Sequence, residues 1–168
     1  IMLELQNKGA HNINLVTPTH YVPNIVNVLK KIKGKELKIP VVYNTSSYEC
    51  VGTIMACRNL VDIYLADLRY YDDSLGEKYS LCSNYFENAT MAIDEMYRQV
   101  GKCSFDDSGL LKKGLVVRVL ILPGHADDSK KIIEYLYKTY GDDIFISIMN
   151  QYTPVNKCKY SNLNRKVT

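Results

Sequence analysis

The sequence predicts an α/β fold: a partial (β/α) TIM-type barrel of about five parallel strands with helical crossovers. Three observations predict it. Short strand-like runs alternate with segments of helical period, five times over. The strand runs are apolar at successive positions, which suits parallel strands covered on both faces. Neither G-x-G-x-x-G after the first strand nor G-x-x-x-x-G-K is present, so a dinucleotide-binding or P-loop layer has no motif.

The elements follow in order. Residues 2–8 (MLELQNK) read as the end of an amphipathic helix. Asn12–Val16 is the first strand. Ile25, Val26, Leu29 and Ile32 recur at helical spacing behind Pro23, a starting residue. Val41–Tyr43 is the second strand, and Val51, Ile54 and Met55 mark a short helix. Asp62–Leu68 is the third strand. Leu81 through Val100 carries the clearest helical period, with Ser80 as expected N-cap and Gly101 as stop. Asp106 to Gly109 has hairpin-turn chemistry, so an added β-hairpin is expected near residues 103–115. Gly114–Leu122 is the fourth parallel strand. A helix opens at Asp127-Asp128-Ser129 and stops at Gly141, and Ile144–Met149 is the fifth strand.

One domain of 168 residues and 19.2 kDa can bury a core without staples. Hydrophobic residues at 46% and charged residues at 23% exclude disorder and low complexity. No apolar run is long enough to cross a membrane. The net charge of +3 does not call for a nucleic acid. Five cysteines, an odd number without metal-ligand spacing, read as reduced thiols of a cytoplasmic protein. Tyrosine is used 14 times and tryptophan never, a bias that no local pattern explains.

Ligands of parallel α/β arrays bind at the C-terminal strand ends. Those ends read Thr17-Pro18-Thr19-His20, Asn44-Thr45-Ser46-Ser47, Asp67-Leu68-Arg69, Pro123-Gly124-His125 and Asn150-Gln151-Tyr152. Arg118 interrupts an apolar strand, where an unpaired charge is costly. It is either a guanidinium for a carboxylate or phosphate, or half of a buried ion pair with Asp67 or Glu49. Asp67 and Arg69, two apart, share a strand face. They form a rim salt bridge or hold a ligand. His20 follows a turn and serves more readily as a hydrogen-bond donor than as a base. No nucleophile–base spacing and no strand-end lysine is present.

The strand-end strings LQNKGAHNINLVTPTHYVP (5–23), YNTSSYE (43–49), VDIYLADLR (61–69), YSLCSNYFENATMAIDEMYRQVG (79–101), GLVVRVLILPG (114–124) and QYTP (151–154) resemble a family of radical S-adenosylmethionine proteins similar to pyruvate formate-lyase activating enzyme. The resemblance implies a partial barrel and two cofactors, S-adenosylmethionine and a 4Fe–4S cluster. It implies hydrogen abstraction by a 5′-deoxyadenosyl radical. The implied partners are a glycyl radical enzyme and a reductant such as flavodoxin or ferredoxin, with no nucleic acid and no membrane. Position by position, it implies cofactor contacts for Thr17, Thr19 and His20, although Thr19 stands where relatives carry Glu. It implies the same for Asn44 and Thr45, for Asp67 and Arg69 in place of Asp-Leu-Lys, and for Arg118. Tyr152 matches by position only.

The family's C-x3-C-x2-C motif is absent. The expectation is therefore an incomplete barrel domain over 1–154 and a polar, basic, truncated tail over 155–168. A strand is expected to precede Ile1 in a longer protein, and Thr168 is expected to cap a further helix. Such a chain is expected to be inactive alone, and its unpaired sheet edge is expected to favour an artefactual dimer. The alternative is a barrel hydrolase or isomerase acting on a small anionic substrate through Asp67, Arg69 and Arg118.

Overall fold

The computed structural model describes residues 1–167; Thr168, the expected helix cap, lies outside them. The elements are α1 (Met2–Asn7), β1 (Ile13–Val16), α2 (Val22–Ile32), β2 (Val41–Thr45), α3 (Val51–Ala56), β3 (Ile63–Asp67), α4 (Asp73–Ser80), α5 (Tyr85–Val100), β4 (Ser104–Phe105), β5 (Leu111–Leu120), α6 (Ala126–Tyr140) and β6 (Phe145–Met149). Five strands are parallel, in the order β1-β2-β3-β5-β6. The short β4 pairs antiparallel with the start of β5, as the expected hairpin. Its turn closes through Gly109 N–H donating to Asp106 O at 2.9 Å.

Each parallel strand lies beside its neighbour in the chain. With right-handed crossovers, that order sends every helix to the same face of the sheet. The burial agrees. Tyr43, Tyr64, Ala66, Leu115, Val117 and Val119 are fully buried, in one core with Leu29, Ile54, Ile93 and Leu136 of the helices. The alternate residues Asn44, Leu65, Asp67, Val116, Arg118 and Leu120 face the other way and stay partly exposed. The strands are thus covered by helices on one face, not two. Apolar content does not distinguish a helix-covered face from a partly open one, and this sheet has one of each.

Two sequence expectations need correction. The helix expected from Leu81 begins at Tyr85, and Ser80 ends the preceding helix instead of capping this one. Leu81 (φ +55) and Asn84 (φ +48) break the chain direction, and Leu81 points to solvent instead of the core. Left-handed leucine carries no sequence signal. The missed helix α4 is announced by Asp72, whose side chain accepts from Ser74 N–H at 2.9 Å. After 154, Leu163 is buried, Tyr152 donates its hydroxyl to Leu163 O at 2.9 Å, and Asn162 Nδ2 donates to Tyr79 OH of α4 at 2.9 Å. The fourth parallel strand starts three residues before Gly114. There φ is +144 and Cys103 fills the place a Cβ would take, so only glycine fits.

Candidate functional site

The partly open face of the sheet carries one connected polar cluster, at the C-terminal ends of three adjacent strands. Asp67 closes β3, and its register partner on β5 is Arg118. Arg118 Nε donates to Asp67 Oδ1 at 2.6 Å. Its Nη2 reaches over β3 and donates to Asn44 Oδ1 of β2 at 2.9 Å. From the loop after β3, Arg69 Nη2 donates to Asp67 Oδ2 at 3.1 Å. Of the two partners the sequence left open for Arg118, the structure selects Asp67. The Asp67 side chain is 16% exposed, that of Arg118 26% and that of Arg69 46%. One carboxylate is shared by two guanidiniums, so the cluster carries a formal charge of +1. Guanidinium N–H groups not turned to Asp67 or Asn44 remain as donors.

A cavity of about 270 Å³ opens beside this cluster. Asp67, Arg69 and Arg118 form its polar wall; Leu120, Leu122 and Met149 form its apolar wall. Tyr70 and Gln151 complete it. The arrangement can hold an anionic group on the guanidiniums with an apolar or aromatic body against the leucines. Among the described residues, no group of three His, Cys, Asp or Glu side chains is placed to hold a metal ion.

The loop backbones at this end are tied by a tyrosine that the sequence offered only as helix core. Tyr85 of α5 lies beneath the ends of β2 and β3. Its hydroxyl accepts from Arg69 N–H at 3.0 Å, with Ser46 O at 3.1 Å and Asp67 O at 3.2 Å as acceptors. Burial pushes its phenol well above the usual tyrosine range, so it stays protonated and serves as this strut.

The other expected site residues lie elsewhere. Thr45 is adjacent to Asn44 in a strand and so faces the helices. Its hydroxyl donates to Glu49 Oε1 at 2.7 Å, as does that of Thr19, also at 2.7 Å. Tyr43 OH donates to the same oxygen at 3.3 Å. Glu49 is buried behind the sheet end, where burial and this carboxylate push the Cys57 thiol up to about 11. Thr17 (φ +49) contributes backbone only, its N–H donating to Asn44 O at 2.8 Å. His20 lines a separate groove with Pro23, Cys50 and Thr53. His125 Nε2 is hydrogen-bonded with Tyr79 OH at 2.9 Å, and Asn162 Nδ2 lies 3.2 Å from the same nitrogen. Tyr152 serves the tail.

No protein-family model matches the chain. It is similar to an uncharacterized protein of Methanocaldococcus jannaschii, with 29% identity over 167 residues. The match covers 95% of this chain and 43% of that relative, so the chain spans less than half the relative's length.

Proposed function

We propose that the chain is the S-adenosylmethionine-binding part of a radical enzyme resembling pyruvate formate-lyase activating enzyme, built on a partial barrel. The observation that carries this reading is the Asn44–Arg118–Asp67–Arg69 cluster, which joins four of the positions named by the resemblance in one network beside a cavity. Sequential parallel strands with helices on one face are how such barrels are built, which supports the same reading.

S-adenosylmethionine fits the donor set. Arg118 and Arg69 are suited to its carboxylate, and the wall of Leu120, Leu122 and Met149 to its adenosine. When bound and reduced, that cofactor supplies a carbon-centred radical for hydrogen abstraction; a glycine of a partner enzyme is the proposed target. A four-iron cluster does not fit the described residues: the five cysteines are dispersed and unpaired, and no three converge. We place the protein in the cytoplasm, with flavodoxin or ferredoxin as reductant. The alternative of a hydrolase or isomerase draws on the same guanidiniums. It has less support, because Asp67 is engaged by both and, among the described residues, no other carboxylate or imidazole lines the cavity.

Anaerobic expression of the full reading frame, reconstitution with iron and sulfide, and electron paramagnetic resonance with and without S-adenosylmethionine test the proposal. A reducible four-iron cluster perturbed by the cofactor is expected. Absence of any cluster overturns it.

A further inference from the structure

A second charged feature lies at the opposite end of the sheet. Residues 30–38 hold five lysines against one glutamate, a net +4 where the whole chain is +3. Lys30 and Lys31 close α2, where a helix C-terminus favours cations. Lys35 and Lys38 lie beyond the helix, where that field has fallen away. All four are exposed, and none has a carboxylate within salt-bridge reach among the described residues. Such unpaired like charges repel one another at a cost to the fold. The backbone beneath them is clamped to α1. Gln6 Oε1 accepts from Lys38 N–H at 2.7 Å, and Gln6 Nε2 donates to Glu36 O at 2.9 Å. Lys33 and Lys38 converge with Lys112 of β5 on a cavity of about 290 Å³, whose remaining wall is Ile39, Pro40 and Asp62. Asp62 is already engaged, its Oδ2 accepting from Lys33 Nζ and from Val41 N–H.

We infer that this lysine belt docks an acidic polypeptide segment of a partner protein, with one apolar side chain of that segment seated on Ile39 and Pro40. Carboxylates flanking the apolar side chain meet the ammoniums around the cavity, and charge complementarity selects the partner. Long, hydrated lysine side chains suit a fast, salt-sensitive contact. Other polyanions fit less well. No arginine or aromatic residue lies within 30–38 or lines the cavity, so nucleic-acid bases find nothing to stack on. Pro40 is buried and Ile39 half-buried, so they receive a side chain but do not project into a bilayer. Asp62 immediately precedes β3 and Asp67 ends it, so about 16 Å of strand separates the belt from the guanidinium cluster. A segment held at the belt leaves the cavity at the other end of the sheet free. The inference does not depend on what that cavity binds.

The test is a nuclear magnetic resonance titration of the isotope-labelled protein with the blocked peptide Glu-Glu-Leu-Glu-Glu at low salt. Amide shifts are expected at residues 30–40 and at Lys112, with affinity falling about tenfold as salt rises from about 20 to about 200 mM. The variant Lys30→Gln, Lys31→Gln, Lys35→Gln, Lys38→Gln should bind at least about tenfold more weakly. Its melting temperature should be equal or higher, because repulsion is relieved, which separates docking from a structural role. The peptide Glu-Glu-Gly-Glu-Glu should bind about fivefold more weakly, having no side chain for the cavity. Pentathymidylate and phosphatidylserine vesicles are the rival probes. Absent shifts, equal affinity in the quadruple variant or equal affinity of the glycine peptide overturns the inference. So does tighter binding of pentathymidylate than of the leucine peptide, or vesicle binding that outlasts peptide binding as salt rises.

Discussion

Two carboxylates sit within one strand-end of each other and do opposite things. Asp67 stands on the partly open face, paired to two guanidiniums beside a cavity. Glu49 stands behind the sheet, 7% exposed, with three hydroxyls on one oxygen and no cation within salt-bridge reach among the described residues. The first arrangement leaves donors free for an incoming anion. The second ties the β1–α2 loop to β2 through Oε1, while its buried Oε2 has no hydrogen-bond partner among the described residues. Neighbouring polar groups at one sheet end thus divide between a partly open face and a helix-covered face by the alternation of a strand.

The sharpest way to break this contrast is on the structural side. Glu49→Ala strands three buried or half-buried hydroxyls and should cost about 3 kcal/mol in urea unfolding. It should leave the cavity residues in place. Asp67→Asn comes next. It leaves a partly buried Arg118 without its counter-charge, and a loss of about 1–2 kcal/mol is expected, discounted for solvent access. Arg118→Met should be milder than Asp67→Asn, within about 1 kcal/mol of wild type, because an apolar stem replaces the charge. The reverse order would mean that Arg118 is a structural ion pair before anything else.

Acid titration sharpens the picture elsewhere in the helix layer. Buried Glu95 is held below the usual carboxylate range by hydrogen bonds from Gln99 and Arg58. A lowered folded value means that its stabilisation is complete above the unfolded glutamate value of about 4.3 and is lost as pH falls through the lower folded one. Glu95→Gln should flatten unfolding free energy against pH in that acid window. The smallest effect is a rate. Cys50 and Cys158 are exposed and should react promptly with a thiol reagent at pH 8, while Cys57, buried and raised, should not. In Glu49→Gln the Cys57 reaction should quicken as the nearby charge is removed.

Much of this was legible in the sequence, for physical reasons that differ by residue. A lone arginine in an apolar strand has to meet a partner, and Arg118 does. Asp67 and Arg69, two apart, do cooperate. The parallel array was written in alternating period, and the hairpin in the Asp106–Gly109 turn chemistry. What was not legible depended on direction. Asn44 and Thr45 were named together, yet adjacent strand residues cannot share a face, and Thr45 turns to Glu49. Thr19 and His20 lie in a loop, where no period assigns a side. Tyr85 repeats at helical spacing like any core residue; that its hydroxyl would tie two strand ends depends on where α5 crosses them. The break at Leu81 rests on backbone dihedrals that leucine seldom adopts.

The central claim is that the guanidinium cluster of the partly open face is the cofactor site. Isothermal titration of the reconstituted full-length protein with S-adenosylmethionine, wild type against Arg118→Met, tests it most directly. Loss of a charge-assisted contact should weaken binding by about 10- to 100-fold, with unfolding nearly unchanged. Equal affinity in the two proteins would contradict the account.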